Sequence, residues 1–246
     1  MAWSRVQYRQ GAAAAADSFA LAFSSNVTVG SLLVHSIADD NNAGNTTVVS
    51  DSKSNTYAQA GTVLTQSTGH LFIYYAMNAV AGATTVTNNP LGSSANIRLA
   101  IHEYAGIALT SALDQTAGTT GNSSAPNSGN TSATTNAIDL VFGGMTHYSS
   151  TQTITPGVTF SEIQEIEDAS IMPFSTEDKG VVATGAQAAN WTTGADVLWM
   201  ARVACFKEAA PVSQIKVVSG EVLAHIKAIS GEVIAHVKTL SGVANT

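Results

Sequence analysis

His102 and Glu103 open the pattern of a zinc-protease helix, in which a second histidine must follow four residues later so that both imidazoles share one face. Gly106 stands there instead, and the pair sits in a strand-like alternation. Asp39, Asn41 and Gly44 have the outline of a calcium loop, but Ala43 falls where an oxygen ligand is needed and Ser50 where the bidentate Glu belongs. A turn held by Asx side chains is the better reading, so the sequence implies no metal and no cofactor. Glu103 with Glu162 or Glu167 would serve glycoside hydrolysis only if they faced each other across a cleft. No G-x-S-x-G elbow and no S-x-x-K is present, and no catalytic residue is assigned. Trp191 follows Asn190 in a turn-like stretch; packing is the favoured reading for it, and stacking on a glycan is the alternative. Trp199 alternates with Val197, Ala201 and Val203, which is a core pattern.

The elements that must carry these residues are strands. Phe19, Leu21 and Phe23 alternate with small residues; Leu32 to Ile37, Leu71 to Met77, Ile138 to Phe142 and Val197 to Phe206 are apolar runs. Ile97, Leu99 and Ile101 alternate with Arg98, Ala100 and His102, giving one clearly apolar face. Gly, Asn, Ser and Thr clusters separate the runs, which is the all-β pattern. It predicts a two-sheet antiparallel sandwich, jelly-roll-like, of roughly ten to fourteen strands. The polar stretch Ala117 to Thr135 is expected to be an ordered surface excursion within one domain covering 1–207.

After a hinge at 208–214 comes a segment, 215–246, with an eleven-residue repeat: I-K-V-V-S-G-E-V-L-A-H, I-K-A-I-S-G-E-V-I-A-H, V-K-T-L-S-G-V. Ile215, Val218, Val222, Ile226, Ile229, Val233, Val237 and Leu240 share one stripe on a helix, the hendecad pattern of a right-handed supercoil. The Ser219-Gly220 and Ser230-Gly231 pairs instead suit turns between short strands. Both readings leave an apolar face that wants other copies, and Ile and Val along the stripe favour a homotrimer over a dimer. His225 and His236 each follow a Glu by four residues, the spacing of a solvated Glu-His pair.

Composition narrows the classes further. Charged residues are 11% of 246, against roughly 25% in ordinary soluble domains, so the surface is mostly neutral and polar. A net charge of −7 with only ten Lys and Arg argues against nucleic-acid binding. No stretch approaches the ~20 apolar residues of a membrane span. Cys205 is the single cysteine, so no intrachain disulfide forms. Arg5 and Arg9 precede Ala12 to Ala16, too short and too weakly apolar for a signal peptide. Synthesis in a cytoplasm without a signal peptide is the expectation.

Several segments carry a resemblance. Val27-Thr28-Val29-Gly30-Ser31-Leu32-Leu33-Val34, Asp51-Ser52-Lys53-Ser54-Asn55-Thr56-Tyr57, Tyr75-Ala76-Met77-Asn78, Thr84-Thr85-Val86-Thr87 and Glu103-Tyr104-Ala105-Gly106 resemble a β-sandwich module of tailed-phage virion proteins and some bacterial surface proteins. The likeness extends weakly to Phe206. The terminal repeats are similar to I-K-x-Φ-N-G-V repeats at the ends of phage structural proteins, with Ser here in place of Asn and Glu after Gly. The resemblance implies a non-enzymatic virion structural protein on the particle's outer surface, a capsid decoration or head-fibre protein. Its partners would be its own copies and other virion proteins such as the major capsid protein. The alternative is a tail-associated or surface carbohydrate-binding module that meets host-surface glycans.

Overall fold

The computed structural model describes residues 3–148, 152–166 and 172–210. Sixteen strands form among them, every pairing is antiparallel, and no helix is present. The first half holds β1 (Ser4–Ala16), β2 (Phe19–Ala22), β3 (Leu32–Asp39), β4 (Thr47–Asp51), β5 (Ala58–Gln59), β6 (Leu64–Gln66), β7 (Gly69–Ala76), β8 (Thr85–Pro90) and β9 (Ala95–Ala105). The second holds β10 (Leu113–Ser123), β11 (Asp139–Tyr148), β12 (Ile154–Pro156), β13 (Ser161–Ile166), β14 (Phe174–Val181), β15 (Trp191–Thr193) and β16 (Val197–Lys207). The all-β antiparallel sandwich expected from alternation is present, built twice.

In the first half the inner sheet runs β1-β9-β3-β7-β5, with β6 also on β7, and a small outer sheet runs β2-β8-β4. The chain alternates between the two layers, as in a jelly roll. In the second half the inner sheet runs β10-β16-β11-β14-β13, and β12 pairs β15 outside it. Residues 124–134 complete that outer layer. Thr193 N donates to Ser124 O, Trp191 N to Pro126 O, Ser128 N to Ala189 O, Thr131 N to Gln187 O and Thr134 N to Gly185 O. The same three hydroxyl side chains accept in return from Ala189 N, Gln187 N and Gly185 N. The polar excursion is thus split: its start belongs to β10 and the rest is a hydroxyl-clamped segment that runs along the outer layer.

The two halves match strand for strand, down to an irregularity. β1 and β10 each shift register at the same place against their partners, between Arg5 and Gln7 beside Tyr104, and between Leu113 and Gln115 beside Phe206. Aligning the registers makes Ser36 the counterpart of Gly144, Tyr104 of Phe206, and Tyr75 of Asp178. The inner sheets pack face to face, so the chain resembles a symmetric dimer fused into one polypeptide. Between them lie Leu32, Val34, Ile73, Tyr104, Leu140, Phe142, Ala204 and Phe206, with Ala38, Leu71, Ala100, Phe174 and Met200 beside them. The opposite faces are covered as well. Leu33, Ile37, Leu99 and Ile101 pack under the β2-β8-β4 layer with Leu21 and Val86, and Val141, Met145, Val203 and Cys205 pack under Ile154 and Trp191. Each such side chain taken from water contributes roughly 1.5–3 kcal/mol. This four-layer arrangement is why β3, β9, β11 and β16 are buried on both faces.

The pseudo-dyad passes between Ser36 and Gly144, where β3 and β11 approach most closely: a Cβ built on Gly144 would collide with Ser36 Oγ and meet Ile73 Cδ1 at 3.7 Å. A residue facing its own counterpart across a dyad leaves room for one small side chain, and Gly144 is the side that yields. The chain leaves this assembly late. Glu208 N donates to Ile138 O and Ala209 N to Gly106 O, so the first two hinge residues are tied to the sandwich. The rest of the hinge beyond Ala210, and the repeats with their eight stripe residues, lie outside the described residues.

Gly144→Val should destabilise the protein by about 1–3 kcal/mol, because overpacking must push two central strands apart. Gly185 has only Gln187 Nε2 near an added Cβ, at 3.9 Å. Gly185→Ala should therefore change stability by less than about 1 kcal/mol, and toward stabilisation. Urea unfolding of both variants distinguishes these outcomes.

Candidate functional site

Glu103 sits on β9, fully buried beneath the 25–31 loop. Its Oε1 accepts from Thr28 N and from Ser31 Oγ, both at 2.8 Å, and its Oε2 accepts from Gln7 Nε2 at 2.6 Å. Gln7 in turn accepts from Ser25 N and Ser25 Oγ, each at 3.0 Å. A buried carboxyl group needs such donors in place of the water it has lost. Here the donors come from β1 and from a tight turn in which Gly30 takes φ +81°. Glu103 is the pin that fixes this turn against the sheet, and no solvent path reaches it for acid–base work. Glu162 lies on β13 in the other half, exposed, and Glu167 lies outside the described residues. No two-carboxylate cleft is assembled from Glu103 and Glu162.

His102 points the other way, into the space between the inner sheets. Its Nδ1 is 3.1 Å from Val34 O, an acceptor only, so Nδ1 carries the proton and Nε2 accepts from Thr176 Oγ1 at 3.2 Å. The ring lies edge-on to Phe142 at 4.9 Å. Two residues on, Tyr104 donates to Asp178 Oδ2 at 2.9 Å, and Arg5 Nε lies 3.3 Å from the same oxygen. Burial pushes the Asp178 carboxyl up; Arg5 and then Tyr104 pull it back part of the way. His102, Tyr104, Arg5, Thr176 and Asp178 are thus a polar seam joining the two halves.

The motif Asp51 to Tyr57 closes on itself. Asp51 Oδ1 accepts from Lys53 N at 2.8 Å and Asn55 N at 3.2 Å, and Oδ2 from Asn55 Nδ2 at 2.8 Å and Tyr57 Oη at 2.6 Å. Burial alone would raise the Asp51 carboxyl, but these donors, Tyr57 first and then Asn55 and Lys53, bring it below its ordinary value. Asn55 Oδ1 also accepts from Val80 N, and Tyr57 packs on His35 with ring centroids 4.7 Å apart. The motif's chemistry is spent on a turn. The calcium-like loop behaves similarly: Asp39 Oδ1 engages His70 Nδ1 at 2.9 Å and Asn41 N at 3.3 Å, while Asn41 Oδ1 accepts from Ala43 N and Ser93 Oγ. Gly44 carries no ligand there, and among the described residues no three His, Cys, Asp or Glu side chains gather around one point.

Trp191 is 2% exposed, packed with Ile154, Ala189 and Val197. An indole in that position has no face free to stack on a sugar, so its packing role is the one realised, and the glycan contact is corrected. Trp199 is buried and donates from Nε1 to Ser123 Oγ at 3.0 Å. Cys205 is buried, its thiol pushed up to about 12 chiefly by burial, far from thiolate reactivity. His225 and His236 lie outside the described residues. Sequence reasoning missed Glu177 and Asp139. Glu177 accepts from Gly157 N at 2.9 Å and Asn190 N at 3.2 Å, yet burial raises its carboxyl to about 8. Asp139, beside Asp114, is raised to about 7 by burial first and then by that neighbour. Glu177-Asp178-Lys179 reads in the sequence as a charged, solvated run, and only the pairing of β14 with β11 buries Glu177. The surface cleft lined by Asp17, Asn89, Pro90, Leu91, Gly92 and Ser93 holds only about 220 Å³ and no converging charged groups beyond Asp17.

Two tests follow from these buried groups. Glu103→Ala strands the donors of Thr28, Ser31 and Gln7 and should cost about 3 kcal/mol in urea unfolding. The second concerns pH. Burial lowers His35 and His102 to about 3 and His147 to about 4. The unfolded chain therefore takes up protons below about pH 6.5 that the folded chain refuses, and stability falls with acid. Asp139 and Glu177 act oppositely: folded, they hold protons up to about 7 and 8, whereas unfolded they release them near 4, so stability falls as pH rises through that window. Stability should peak near pH 6, and Asp139→Asn, which removes a group that opposes stability from about pH 4 to 7, should steepen the rise between pH 4 and 6 and flatten the decline just above pH 6, leaving the limb below pH 4 unchanged. Thermal melts across pH 3 to 9 measure both limbs.

No family model, curated protein or solved structure matches this chain.

Proposed function

We propose that this chain is a non-enzymatic structural protein of a tailed-phage particle. It sits on the outer surface as a capsid decoration or head-fibre protein and assembles through its C-terminal repeats, as a homotrimer seated on other virion proteins such as the major capsid protein. The observation that carries the reading is the fate of the reactive side chains. Glu103, His102, Asp39 and the Asp51 motif, the residues with the types and spacing for chemistry, are consumed in interior hydrogen bonds that fix turns and join layers. A protein whose polar investment goes into rigidity, under a neutral surface and with a repeated apolar tail, suits a shell component. The phage-like segments support the same reading. The Asp51–Tyr57 stretch and the Val27–Val34 stretch are where the strongest turn networks lie, so what the family likeness shares with this chain is a folding device.

Sedimentation of the full chain should give a whole multiple of three monomer masses, and Ile226→Asp combined with Val233→Asp should reduce it. A full-length monomer, or a double variant as large as the parent, would remove the repeats from the account. Labelled antibody against the sandwich should decorate intact phage heads; labelling confined to tails would move the protein there.

A further inference from the structure

β1 is a thirteen-residue strand at the edge of its sheet, paired on one side to β9 and, among the described residues, to no strand on the other. An open edge presents a row of backbone donors and acceptors that another chain can continue. The regular stretch of β1, Gln7 to Ala13, lies between two register shifts and carries a single charged side chain, Arg9, and no proline. Val6 and Tyr8 on it are each 45% exposed, and Arg9, Ala12 and Ala14 are exposed too.

The strand is also polar from end to end. Its first half, Ser4 to Gln10, carries the bulky and cationic side chains, including Arg5 and Arg9; its second half, Gly11 to Ala16, has nothing larger than a methyl and is followed by the exposed Asp17. We propose that β1 docks on β1 of a second copy of this chain, antiparallel about Gly11, so that the two inner sheets become one. In that pairing Arg9 lies opposite Ala13 and Gln10 opposite Ala12. Each copy's large half meets the other's small half, and each cationic end runs toward the other's Asp17. Arg9 and its symmetry mate are kept four positions apart, so like charges do not face each other.

A second copy fits better than a foreign peptide. Strand addition gains specificity from pockets for alternate side chains, and the alanine half offers no pockets, only clearance. The other open edge, β10, is a poorer ladder, because Gly118 and Gly121 stand in its length. The contact is isologous and independent of the C-terminal repeats, whatever number of copies those gather.

Two singly substituted full-length chains test it, Arg9→Cys and Ala13→Cys, with the native Cys205 buried and unreactive. Mixed in a glutathione redox buffer, they should form a disulfide-linked heterodimer, and neither alone should cross-link. No cross-link on mixing, or equal cross-linking of either chain alone, would overturn the proposal. Independently, Ala12→Lys places a long charged side chain on the edge and should halve the sedimenting mass of the full chain at an unchanged circular dichroism spectrum; an unchanged mass would overturn it.

Discussion

The close approach of β3 to β11 at Ser36 and Gly144 governs the rest of the molecule. Two inner sheets can share one dry interface only if their central strands come near enough for large side chains on either flank to meet. Tyr75 then reaches Phe206 with rings 5.3 Å apart on one flank, and Tyr104 reaches Asp178 on the other. A side chain larger than glycine at 144 would hold the sheets open along both flanks at once. Because both faces of each inner sheet are then covered, polar residues on the central strands cannot find water and must find one another.

That requirement explains where the hydrogen bonds concentrate. Glu103 faces the outer layer of the first half and gathers donors from a loop; Glu177 faces the outer layer of the second and gathers Gly157 N and Asn190 N. Both tie loops to inner sheets. Glu103 has side-chain donors as well as a backbone one, whereas Glu177 has two backbone donors and a carboxyl that burial holds protonated near neutrality. The same kind of anchor is therefore built from mixed donors in one half and from backbone donors alone in the other, where it is sensitive to pH.

The strongest apolar runs were legible in the sequence because burial on even one face imposes alternation, and the runs at Leu32, Leu71, Ile97, Ile138 and Val197 fall within or overlap β3, β7, β9, β11 and β16. The edges were not. β1 hides in an alanine run and β10 in a Gly- and Thr-rich stretch, since an edge strand needs little apolar surface and so writes little pattern. The outer-layer segment at 124–134 was also invisible, being held by Ser128, Thr131 and Thr134 hydroxyls in place of apolar contacts. His102 was legible as a strand residue, but its polar partner Thr176 is 74 positions away and no local pattern links them. The doubling of the fold was hidden for a related reason: counterparts such as Tyr75 and Asp178 no longer share chemistry.

That divergence has a consequence for specificity. On one flank of the pseudo-dyad stand Arg5, Tyr104 and Asp178; their counterparts on the other flank are Leu113, Phe206 and Tyr75, an apolar set packed in the shared core. Each flank takes two members from one half and one from the other, so a symmetric pairing of like halves would break both. Two first halves together would set Arg5 and Tyr104 against Tyr75, leaving a guanidinium without its carboxylate. Two second halves would bury Asp178 against Leu113 and Phe206, with no cation or hydroxyl to receive it. Each like pairing would lose the Arg5–Asp178 and Tyr104–Asp178 contacts on both flanks, and the pairing that buries Asp178 without a donor is the costlier, because an unpaired buried charge cannot be offset by water. The interface therefore favours the first half with the second over either half with its own kind, which in a duplicated fold is a safeguard against exchange of halves between neighbouring chains. At high local concentration, where identical chains are brought side by side, a fully symmetric seam would have offered no such discrimination.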